Sequence, residues 1–264
     1  MLDPLYLRNL AWAFSSLSEL VLLIYLQRKG LYRLLPAFVF YISMALAQSA
    51  ALFFVYWKYG FHTEVGFWTG WLSQIALTLA RWLAGFEIAR RLLSKYTGIW
   101  ALAKRVLLFA SAIVLAVSLL FIHSNWSDAV MGMERGMKLS IASFLVLLLL
   151  FARYYRVPVF PLERTLAIGF FLYSCFSVVN YSVFEKFFEK YSNLWNFLDI
   201  QSFLATVLIW IYAVRVYSVE QAAARTPILV SAESYELMSG QANLRLRALN
   251  DHLAHLLRSE DPRE

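Results

Sequence analysis

Seven blocks of roughly 20 mostly apolar residues, separated by short polar connections, constrain this chain more than any other feature of its 264 residues. An α-helix rises 1.5 Å per residue, so about 20 residues cover the hydrocarbon core of a bilayer, and a backbone there must satisfy its own hydrogen bonds. The blocks therefore predict crossing helices at Leu5–Gln27, Pro36–Trp57, Val65–Leu92, Val106–His123, Ala129–Phe151, Thr165–Phe184 and Asn193–Val216. The third is long enough to tilt or to emerge at one surface. Tyr96–Lys104 reads as an interfacial helix leading into the fourth. Hydrophobic residues make up 61% of the chain, more than a soluble domain of this length can cover with polar surface.

The basic residues fall unevenly about these blocks. Seventeen of the 24 Lys and Arg residues lie on one side, among them Arg28, Lys29, Arg33, Arg90, Arg91, Arg153, Arg164 and Arg215. The opposite connections hold only Arg8, Lys58, Lys186 and Lys190. Short cytoplasmic loops concentrate Lys and Arg, so this asymmetry predicts the N-terminus outside and the C-terminus in the cytoplasm. The net charge of +7 is then a topology signal, with contact to anionic headgroups, and no nucleic-acid partner is expected. The opening block has Asp3 ahead of Arg8, no small-residue cleavage site follows, and Arg28 and Lys29 close it, as expected for a retained crossing. A bacterial-type plasma (inner) membrane is the expected location.

The expected fold is thus all-α: an integral membrane bundle of about seven transmembrane helices over 1–216, followed by a cytoplasmic tail over 217–264. In the tail, Ala242, Leu246, Leu249, Leu253 and Leu256 recur at spacings of three and four, which predicts a short amphipathic helix. Such a helix can lie on the membrane, pair with its own copy as a homodimer, or hold a cytoplasmic protein partner. His252 and His255 share it without a third ligand nearby, so no metal is expected. The single cysteine, Cys175, lies in an apolar run and excludes an internal disulfide.

Ionisable groups inside the crossings cost roughly 2.5–3.5 kcal/mol each at a helix centre, so each needs a reason to be there. Glu19 and Arg81 come to similar depths, about 21 and about 24 Å from the outer ends of their helices, which allows an intramembrane ion pair between the first and third crossings. Glu87, nearer the cytoplasm, competes for Arg81. A second layer lies in the outer half: Lys138 and Arg135 on the fifth crossing, Asp199 on the seventh, Gln48 on the second and Gln74 on the third. Lys138 and Asp199 are the natural ion pair. Glu134 and Arg135, close to the interface, are better explained as side chains that fix helix register.

Several function classes are excluded by what is missing. The seventh block has no lysine for a retinal Schiff base. The third block ends Glu87-Ile88-Ala89-Arg90-Arg91 where a G-protein-coupled receptor would carry Asp-Arg-Tyr. No paired catalytic motif and no glycine-rich phosphate loop occurs, so neither an enzyme nor a cofactor is expected. The polar layer points instead to a sensor or ligand-binding membrane protein. Its small polar or anionic ligand would meet Lys138, Arg135, Asp199, Gln48 and Gln74, with Glu19 and Arg81 as the pair that shifts on binding. A proton-coupled transporter using Glu19, Arg81 and Asp199, or a non-catalytic membrane assembly subunit, is the alternative.

Overall fold

The computed structural model describes residues 4–60, 63–93, 97–121, 126–154, 159–187 and 192–217. The expected tail helix lies outside them. Within them the chain is all-helical: α1 (Pro4–Arg28), α2 (Pro36–Tyr59), α3 (Glu64–Leu92), α4 (Thr97–Phe121), α5 (Trp126–Tyr154), α6 (Pro161–Phe187) and α7 (Ser192–Val216).

The helix ends follow from local chemistry. Gly30, at φ 66°, takes the left-handed conformation after α1; its N–H donates to Gln27 and the N–H of Leu31 to Leu26, while Leu26 and Leu31 pack in the core. Both bonds of a Schellman cap are thus made with its hydrophobic contact, and the chain turns back at once into α2. Pro36 opens α2 and Pro161 opens α6, where a missing N–H costs nothing. Thr63 caps α3 by accepting from the N–H of Gly66 at 3.1 Å. The separate interfacial helix expected at Tyr96–Lys104 is not a separate element: α4 is continuous from Thr97 to Phe121.

Two charges join helix ends to neighbours. The Glu87 carboxylate accepts from the N–H of Phe38 at 3.0 Å, capping the start of α2 from α3. Lys29 donates to the carbonyl of Arg215 at 2.7 Å and to that of Tyr217, capping the end of α7 from the end of α1. Each charge meets the helix pole of opposite sign. Glu87 therefore has a structural task of its own, in place of the expected competition for Arg81.

Neighbouring helices alternate in direction. Gln48 meets Gln74 and Tyr41 meets Arg81, so α2 and α3 run antiparallel. Leu166 meets Trp210 and Tyr173 meets Phe203, which sets α6 against α7. The odd helices thus begin at one face of the bundle, termed here the N-terminal face, and end at the other. That second face collects Arg28, Lys29, Arg33, Arg90, Arg91, Arg153, Arg164 and Arg215 and is termed the basic face.

Burial is inverted relative to a soluble protein. Leu120, Phe109 and Phe14 are 78%, 69% and 64% exposed, whereas Lys138 and Glu19 are 3% and 2% exposed. Large apolar side chains covering the outside, with charges inside, are stable when the surroundings are lipid. Six of the helices are long and apolar enough to cross a membrane; α3 is the exception. At 29 residues it has the length, but Thr69, Ser73, Gln74, Thr78 and Arg81 dilute its apolar content. Packing against α2, α5 and α6 gives those groups protein rather than lipid to face.

Candidate functional site

The polar face of α3 meets α5 at a charge cluster. Arg81 donates through Nε to the hydroxyl of Tyr41 at 3.3 Å and through a terminal nitrogen to Oε1 of Glu134 at 3.4 Å. The same carboxylate oxygen holds the Lys138 ammonium at 2.6 Å, one helical turn along α5. Lys138 also donates to Ser177 on α6 at 2.7 Å. The ring of Tyr173 is shared: its centroid is 5.2 Å from the Arg81 guanidinium carbon and 5.2 Å from the Lys138 nitrogen, in cation–π range of both. One carboxylate therefore serves two buried cations, and an aromatic face completes their surroundings.

Above this cluster lies a cavity of about 210 Å³. Trp12, Ser15 and Glu19 line it from α1, Gln48 and Ser49 from α2, Gln74 and Arg81 from α3 and Glu134 and Lys138 from α5. Tyr173 of α6 and Asp199 and Phe203 of α7 close the ring. These residues lie roughly 10–26 Å from the N-terminal face by helical rise, counted along each helix. Gln48 spans α2 and α3, donating to Gln74 and to Ser73, both at 3.1 Å. Towards the basic face the cavity meets a solid layer of Phe38, Tyr41, Phe170 and Trp210. All four are fully buried, with ring centroids 4.9–6.3 Å apart.

Four residues expected from the sequence in one polar layer, Gln48, Gln74, Lys138 and Asp199, line this cavity, and so do Glu19 and Arg81. The pairings differ from expectation. Arg81 takes Glu134 on α5, and no ion pair joins it to Glu19 among the described residues. Glu19 instead receives a weak hydrogen bond from Ser15, one turn back on its own helix, at 3.4 Å. Lys138 takes Glu134, with Asp199 within electrostatic reach. Arg135 is not among the lining residues. It follows Glu134 by 100° around α5, whereas Lys138 returns to within about 40° of it. Tyr41, Tyr173 and Ser177 were not singled out from sequence, and Glu134 was expected only to fix helix register. The i, i+4 spacing of Glu134 and Lys138 is the one signal that could have found the carboxylate.

The polar atoms of the cavity divide into two groups. Those of Lys138 and Glu134 are bonded to each other or to neighbours. Glu19 and Asp199 are bonded on one oxygen only: Ser15 donates to Oε1 of Glu19 and Ser177 to the Asp199 carboxylate, while Oε2 of Glu19 and Oδ1 of Asp199, both buried, accept from no described group. No group of three His, Cys, Asp or Glu among the described residues is placed to hold a metal ion. No protein-family model matches the chain, and no curated protein or solved structure matches it either. Any function must therefore be argued from the chemistry of this cavity.

Proposed function

We propose that this multi-pass membrane protein is a sensor that binds a small polar molecule in the cavity between α1, α2, α3, α5, α6 and α7. The observation that carries the reading is the cavity itself: charged and amide groups from five helices converge on one space, at a depth where each charge is expensive. Charges needed only for helix register could pair off and close the space between them. Here Glu19 and Asp199 line the space, and each keeps one buried carboxylate oxygen without a hydrogen-bond partner among the described residues.

The route to an output runs along α1 and α7. Both line the cavity, and at the basic face Lys29 ties the end of α1 to the last carbonyls of α7. The chain continues from α7 into residues 218–264. A ligand bridging α1 and α7 would favour one arrangement of that pair and pass the bias to the tail, through a protein partner or a second copy. The concentration of Lys and Arg at the basic face supports a cytoplasmic tail and a cavity facing outward, in a plasma membrane of bacterial type.

Purified full-length protein in detergent, heated against a library of small cations, anions and neutral polar molecules, tests this. At least one compound should raise the melting temperature of the wild type and fail to raise that of Lys138→Ala or Asp199→Asn. If no compound shifts the wild type, the charges serve helix register and the assembly-subunit reading takes over. The proton-coupled transporter reading has one specific support, an incompletely bonded carboxylate (Glu19) deep in the bundle. The solid aromatic layer beneath the cavity favours the one-sided sensor.

A further inference from the structure

If the cavity is a ligand site, as proposed above, its open hydrogen-bonding positions define the chemistry of what enters. The cations are already engaged. Lys138 holds Glu134 at 2.6 Å and Ser177 at 2.7 Å, and Arg81 holds Tyr41 and Glu134. Two of the carboxylates are engaged on one oxygen only. Glu19 is 2% exposed and lines the cavity from α1; Ser15 donates to its Oε1, and its Oε2 accepts from no described group. Half-buried Asp199 on α7 accepts from Ser177, and its Oδ1 accepts from no described group.

Charge gives the same sign. Three carboxylates line the cavity (Glu19, Glu134, Asp199) against two cations (Arg81, Lys138), so the ionised cavity carries one net negative charge. Inside a bundle an uncompensated charge is poorly screened, and a monovalent cation is its complement. A bare inorganic ion would leave much of about 210 Å³ unfilled, and the walls offer more than oxygen. Trp12, which stacks on Phe53 at 5.6 Å, and Phe203, 5.2 Å from Tyr173, supply apolar and π surface beside the two carboxylates. Carboxylates next to aromatic faces are what an alkyl- or arylammonium ion binds best: N–H donors on the oxygens, carbon body on the rings.

We propose that the cavity binds a small organic ammonium ion, its N–H groups donating to Glu19 and Asp199 and its apolar body resting on Trp12 and Phe203. This reverses the sign of ligand that Lys138 and Arg135 suggest from sequence, because both cations facing the cavity are held internally and Arg135 does not line it.

The test uses benzylammonium, with benzoate, benzyl alcohol and sodium chloride as its counterparts, on the purified full-length protein. Isothermal titration and thermal shift should detect benzylammonium alone. Glu19→Gln and Asp199→Asn, which keep side-chain size, should each weaken it by about 10- to 100-fold, the loss of one charge-assisted bond. Arg135→Gln should leave it within about twofold. Benzoate binding without benzylammonium overturns the inference and leaves the small-molecule reading standing. Equal stabilisation by sodium chloride overturns it in favour of an inorganic cation. Benzylammonium binding that survives both carboxylate substitutions in folded protein overturns the assignment to this cavity. If benzylammonium is silent while another class of library compound binds, the inference fails alone; if nothing in the library binds, both readings fail.

Discussion

At the residue scale, two glutamates in the same cavity have opposite relations to their surroundings. Glu134 is the shared counter-ion of Arg81 and Lys138, so Glu134→Gln would leave two buried cations facing each other without the carboxylate that pairs with both. Removing one partner from a buried ionic group costs about 3–5 kcal/mol. Glu19 has only the 3.4 Å contact with Ser15, so Glu19→Gln removes a buried charge with little to lose. In ligand-free detergent solution, Glu134→Gln should therefore unfold markedly earlier than wild type, while Glu19→Gln should stay within about 1 kcal/mol of it. Equal destabilisation of the two would show that Glu19 also has an internal partner. Depth was legible in the sequence because helical rise is constant, and that is why Gln48, Gln74, Lys138 and Asp199 could be placed at one level. Partner choice was not, because it depends on rotation about each axis. Glu134 and Arg135 are adjacent in sequence, and the 100° between them decides which one faces the cavity.

At the element scale, hydropathy identified the helices but not their closest approaches. α3 carries the charge cluster at the expense of its own apolar content, and its place among α2, α5 and α6 makes that tolerable. The aromatic layer beneath the cavity depends on a glycine. A Cβ built on Gly169 of α6 would lie 2.3 Å from Nε1 of Trp210. That indole nitrogen donates to the carbonyl of Leu166 at 3.2 Å, so the ring rests directly on the α6 backbone and cannot yield without losing its bond. Gly169→Ala should cost about 1–3 kcal/mol by overpacking, despite alanine's better helix propensity. Trp210→Phe, which removes the clashing atom, should return part of that loss in the double variant. Unfolding of the two single variants and the double in detergent measures the coupling. Simple additivity would mean that the two residues do not meet. Nothing in the residues around Gly169 distinguishes it beforehand from a glycine in any other apolar helix.

At the scale of the whole molecule, the question is whether the cavity ever opens to both sides. Residues of six helices line it, and the packed, fully buried rings of Phe38, Tyr41, Phe170 and Trp210 lie between it and the basic face. A carrier must exchange that layer for an open path, whereas a sensor can keep it and shift only α1 against α7. Ser49 lines the cavity from α2, and Cys175 on α6 is the chain's only cysteine. In a Cys175→Ala background, Ser49→Cys thus places one reporter thiol in the cavity. A membrane-impermeant maleimide added to intact cells should label it, because the basic face is expected to be cytoplasmic. The same reagent applied to inverted vesicles should not, and benzylammonium should protect the thiol from the outside. Labelling from the inverted side alone would reverse the orientation. Labelling from both sides would mean that the aromatic layer parts during the protein's cycle, and the transporter reading would then displace the sensor. The two mechanisms differ in whether four packed rings move, and this one thiol reports on it.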